Sequence, residues 1–202
     1  MDYWLSKQLN ITFSPYEDRL ILRAERGEHG VANVLLTRRM TMIVLQRLLV
    51  NLTELTGLQK TPAQHWQEVL QMAHQQAMQA KRDADSAQAA APAPEPSPAS
   101  ADDASAETVQ PPALYLATEL TTRLQDKQLA IAFTGLPMPQ AMTQPSTHEP
   151  VFAMLLQAEH IHQLIELLIT KAHEAQWHLP LTLPWLENPA RPETGLGGPT
   201  VH

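Results

Sequence analysis

The chain predicts an α+β fold, in which antiparallel β-meanders are each followed by an amphipathic helix. Three observations predict it. Segments with alternating apolar and polar residues flank tight turns, as where Leu9, Ile11 and Phe13 precede Arg19 to Ala24. Each group of strands runs into a segment with apolar residues at spacings of three and four, clearest at Ile161, Leu164, Ile165, Leu168, Ala172 and Ala175. The plan also occurs twice: a constant shift lays Val44 on Leu164, Leu45 on Ile165, Leu48 on Leu168 and Leu52 on Ala172. The reading is two β-β-β-α units joined by a disordered linker. An internal duplication explains the alignment, and so does the period that all amphipathic helices share. The halves are expected to pack about a pseudo-two-fold.

In the first unit, Ser14-Pro15-Tyr16-Glu17-Asp18 turns the first strand into the second, and Gly27 to Gly30 turns the second into a third, Val31 to Leu36. Thr37 then stands as the N-cap of a helix ended by Gly57 in a left-handed cap. That helix is apolar around most of its circumference, so it is expected to be buried on two sides. The second cover is either the helix of the other unit or a second copy of the chain. Arg38 and Arg39 oppose the helix dipole in its first turn and read as solvated, since no glycine-rich phosphate loop precedes them. Thr61-Pro62-Ala63-Gln64 has the form of a capping box opening a further helix. Its stripe of Trp66, Leu70, Ala73 and Ala77 fades past Met78, so fraying is expected from Lys81 to Ala90.

Residues 89–112 are nearly all Ala, Pro, Ser, Asp and Glu, a composition unable to bury enough apolar surface to offset the entropy of ordering. In the second unit, Leu114, Leu116, Leu120 and Leu124 are expected on one face of a long strand, with Gln125-Asp126-Lys127 turning it into Gln128 to Phe133. A long loop, Gly135 to Pro150, precedes the strand Val151 to Leu156 and the helix Ala158 to Trp177. The organisation is therefore residues 1–88 as the first unit with an extra Gln-rich helix, 89–112 as linker, 113–186 as the second unit and 187–202 as a disordered tail.

Composition narrows the function classes. The formal charge is −7 and no large basic face stands out, which argues against nucleic acid as a partner. With Cys 0, disulfides, thiolate metal sites and cysteine nucleophiles are excluded. The start Met1-Asp2-Tyr3-Trp4 lacks the basic and apolar regions of a secretory signal, and Met40 to Leu55 is too short to span a bilayer, so a cytoplasmic protein acting away from membranes is expected. Gly195-Leu196-Gly197 lies in the tail without the strand and helix that a nucleotide loop needs. No cofactor is expected.

Glu159, His162, Glu166 and His173 fall on one side of the last helix, and Glu159 with His162 forms a Glu-x-x-His pair of the kind used in carboxylate-bridged metal sites. No second such pair exists, so the face reads as solvated, with a small metal-dependent enzyme as the alternative. His65 and His74 are both expected to be at least partly exposed. The leading expectation is a non-enzymatic bacterial assembly or accessory factor that binds protein partners, with homo-oligomerisation one form of it. The contact residues would be Val44, Leu48, Leu49 and Leu52 on the first helix, and Trp185 and Leu186 in the proline-flanked tail.

Overall fold

The computed structural model describes residues 3–90, 112–181, 183 and 185. The fold is α+β: a six-stranded sheet and three helices. Strands β1 (Leu9–Ser14), β2 (Arg19–Glu25) and β3 (Val31–Leu36) form an antiparallel meander that leads into α1 (Arg38–Leu55). Helix α2 (Trp66–Ala90) follows. Strands β4 (Ala113–Gln125), β5 (Gln128–Pro137) and β6 (Glu149–Leu156) form a second antiparallel meander, which leads into α3 (Ala158–Glu174). The linker expected over 89–112 falls, for residues 91–111, outside the described residues, as does the tail expected over 187–202.

The sheet order is β1-β2-β3-β4-β5-β6, and the halves join through a parallel pair, with Ala32 opposite Ala113 and Leu35 opposite Leu116. This arrangement is head-to-tail, and the parallel Leu5–Ala153 bridge repeats the same sense of pairing between the far edges. Here the third strand of one meander pairs with the first of the next.

One face of the sheet carries the core. Ile11, Leu20, Leu22, Ala24, Ala32 and Val34 line it, with α1 over β2 to β5 and α3 over β1; Met40, Val44, Leu45, Leu48 and Leu52 of α1 are buried there. The Thr37 hydroxyl accepts from the Met40 amide at 3.1 Å, which fixes the start of α1 as its sequence implied. The helix ends with Gly57 at φ 65, a left-handed value that favours glycine. Of the two covers expected for α1, the one present is α3, which packs against it within the same chain.

Two local irregularities change which residues face the core. Between Ala117 and Glu119 the β4–β5 register shifts, so Thr118 is an extra residue and the alternation inverts there. Tyr115 and Ala117 face the core before the bulge, and Leu120 and Leu124 after it. Leu114 and Leu116 therefore do not share a face with Leu120 and Leu124, contrary to the unbroken alternation of the sequence. At Gly135 the neighbouring strand leaves no room for a side chain: a Cβ there would lie 2.8 Å from the Leu116 carbonyl oxygen. The β5–β6 register shifts as well, between Phe133 and Thr134.

The second helix differs from expectation at both ends. No side-chain cap forms around Thr61 and Gln64. A 3-10 turn over Ala63–His65 leads in, and the Trp66 indole donates to the Thr61 carbonyl at 2.7 Å. The helix also continues to Ala90 without fraying at Lys81. Hydrogen bonds from Gln79 to Asp83 and from Lys81 to Asp85, each one turn apart, accompany this exposed stretch.

The sheet curls around α3, which touches both edge strands, β1 and β6. Residues before β1 draw the edges together. The Ser6 amide donates to the Ala153 carbonyl and the Ala153 amide to the Trp4 carbonyl, each at 2.8 Å. Behind α3, Trp177 lies beyond the helix end rather than within it. It is buried, its indole donates to Asp18 at 2.7 Å, and it meets Phe13 edge-on. No described helix is long and apolar enough to cross a membrane.

Candidate functional site

Two places stand out: a buried histidine pair between α2 and α3, and an open groove between the edge strands. Both depend on α3 having more than one apolar side. Ile161, Leu164, Leu168 and Ala172 face the sheet and α1, while His162 turns toward α2 and is 1% exposed. His74 on α2 is also buried. The two imidazole centroids lie 5.6 Å apart, and the Trp185 ring stands edge-on to both, at 5.4 Å from His74 and 5.5 Å from His162. His74 Nε2 lies 3.5 Å from a Glu166 carboxylate oxygen, too far and too loosely placed for a strong hydrogen bond.

Among the described residues, both ring nitrogens of His162 and Nδ1 of His74 lack hydrogen-bond partners. Burial lowers the His162 pKa from 6.5 to about 4, helped by the neighbouring His74. The His74 pKa is lowered as well, by burial, with Glu166 opposing the shift. Both rings are therefore neutral at pH 7.

The groove forms where the chain leaves β6. After pairing with Ala153, residues 4–6 peel away toward β1, and the space left is a cavity of about 460 Å³ over α3. Its apolar lining includes Leu5, Leu9, Met154, Leu155, Leu164 and Leu167, and its polar lining includes Lys7, Lys81 and His160. Leu5 is 54% exposed and Leu155 46% exposed, high values for leucines that share one concavity. Successive residues of a strand direct their main-chain groups to opposite edges. Because Ala153 bonds outward to residues 4 and 6, Leu155 also directs its N–H and C=O outward, and no described main chain bonds to them.

Comparison with known proteins adds no relative. No family model, no curated protein and no solved structure matches the chain.

The residues singled out in the sequence are distributed as follows. Glu159 and His173 are exposed, Glu166 is half-buried and His162 is buried, so α3 does not present them as one solvated face. His162 and Glu166 come together only through His74. Among the described residues no group of three or more His, Asp or Glu side chains is placed to hold a metal ion. Val44, Leu48 and Leu52 are core residues under the sheet and α3, and Leu49 is partly buried against that core. Within the chain Val44, Leu48 and Leu52 are thus covered, and Leu49 keeps part of its surface open. Trp185 is likewise covered, because its ring packs on the two histidines, and Leu186 lies outside the described residues. Arg38 is not simply solvated, since its guanidinium donates to the His178 carbonyl at 2.6 Å and clips the segment after α3 to the start of α1.

The sequence held a signal for the buried histidines. Leu70, His74 and Ala77 follow helical spacing on α2, and Ala158, His162, Ile165 and Ile169 form a second stripe on α3. The groove had no comparable signal, because it depends on the edges of the sheet meeting across α3.

Proposed function

We propose that the protein is a non-enzymatic binding factor for protein partners, acting through the groove between β1 and β6. The observation that carries this reading is the groove itself: an apolar concavity, with Leu5 and Leu155 exposed, beside a strand edge that is unpaired among the described residues. Open strand edges with exposed leucines are association surfaces unless something covers or blunts them. The reading moves the expected contact surface away from α1, whose apolar stripe is used internally. The two β-β-β-α units are, on this proposal, copies of one ancestral unit, supported by their identical order of elements and their head-to-tail placement in one sheet.

The test is site-specific photo-crosslinking of the full chain in its native cells. A photoreactive side chain at Leu155 is expected to give discrete adducts that one at Tyr16, 98% exposed on the β1–β2 turn, does not. Equal adduct patterns at both positions, or none at Leu155, would remove the support for a binding role at this groove.

A further inference from the structure

We propose that the groove captures its partner by strand addition, taking an extended acidic segment against the outer edge of β6 at Leu155. This rests on the binding-factor reading and specifies the ligand. The edge already shows the required geometry: residues 4–6 run parallel to β6 and exchange two main-chain hydrogen bonds with Ala153. One repeat further along, the Leu155 N–H and C=O have the same outward direction and no described partner. An incoming strand can therefore continue a ladder that the chain itself begins and abandons at Lys7.

The walls select the side chains. A strand sends alternate residues to opposite faces, so one set would meet the apolar floor of Leu164 and Leu167 on α3 while the other meets solvent and the rim. The rim carries Lys7, Lys81 and His160 and has no acidic residue among the groove's lining, although the chain as a whole has charge −7. Lys81 is paired with Asp85 at 2.6 Å, whereas Lys7 has no ion-pair partner among the described residues. An acidic residue on the incoming segment complements this rim, and a basic one is opposed by it.

The probe is a synthetic peptide alternating Val and Glu, titrated into the full chain and followed by the amide signal and hydrogen exchange of Leu155. Binding with protection of the Leu155 amide is expected. A Val/Lys peptide is expected to bind much more weakly. N-methylation of alternate amides is expected to weaken binding about tenfold, as losing one or two net hydrogen bonds implies. Leu155→Pro removes the same N–H at an edge position that tolerates proline, and should do likewise. Laurate serves as a control for a simple apolar cavity.

Laurate binding without peptide binding would overturn the proposal in favour of an acyl-chain site, and no binding of either would overturn it too. Peptide binding without protection of Leu155 would refute strand addition. If crosslinking at Leu155 still yields partners that Leu155→Pro binds with unchanged affinity, strand addition fails while the binding role stands.

Discussion

Replacing His162 with leucine should make the protein more stable and less sensitive to acid. His162 is 1% exposed, and neither ring nitrogen has a hydrogen-bond partner among the described residues. Removing unsatisfied buried polar atoms while nearly keeping the volume is expected to gain about 1–3 kcal/mol at pH 7. The acid sensitivity follows from linkage. The His162 pKa is about 4 when folded and 6.5 in its ordinary state. Between those values the unfolded chain binds more protons, so stability rises with pH. The folded state keeps its full margin above 6.5 and loses it as pH falls toward 4. At about 1.4 kcal/mol per pH unit, the whole window is worth roughly 3 kcal/mol. His74 is lowered in the same direction and adds to the loss below its ordinary value, with Glu166 opposing its share. Urea unfolding, followed by tryptophan fluorescence from about pH 7.5 down to about pH 4.5, measures both effects. The wild type should weaken steeply over this range and His162→Leu should weaken much less. Equal pH slopes in the two proteins, or a less stable variant at pH 7, would refute the dry, neutral histidine pair.

Two further substitutions test the packing and the turns. Leu168→Ala, at a 0% exposed position where α3 meets the core, should cost about 2–5 kcal/mol in urea unfolding. Lys127→Gly, at φ 61 in the β4–β5 turn, should stabilise by about 0.5–1 kcal/mol, because the left-handed conformation costs a side-chain-bearing residue more than glycine loses in chain entropy.

The fold was legible where its causes are local. The Thr37 cap, the glycine after α1, the alternation in β1 and β2 and the period of α3 are all properties of a few consecutive residues. The inversion in β4 was hidden because Thr118 bulges through pairing with β5 and the close approach at Gly135, while its own segment alternates without a break. The head-to-tail join was hidden for a related reason: strand order across a sheet is a non-local choice that two similar meanders leave open. The apolar excess of α1 called for a second cover without choosing between the other unit's helix and a second copy, and within the chain α3 supplies one. The histidines were half legible. Their spacing placed them on apolar stripes, but only the docking of α2 and Trp185 makes that side of α3 dry. The groove was not legible, because it exists only where residues 4–6 close part of the gap between β6 and β1.

Amide hydrogen exchange along β6 in the free protein tests the open edge most directly. Met154 and Leu156 direct their amides to β5, opposite Ile131 and Leu129, and should exchange slowly. Leu155 lies between them with its amide on the outer edge and should exchange fast at every protein concentration. Protection of Leu155 equal to that of its neighbours would mean that the edge is already covered, and the groove could not be the binding surface.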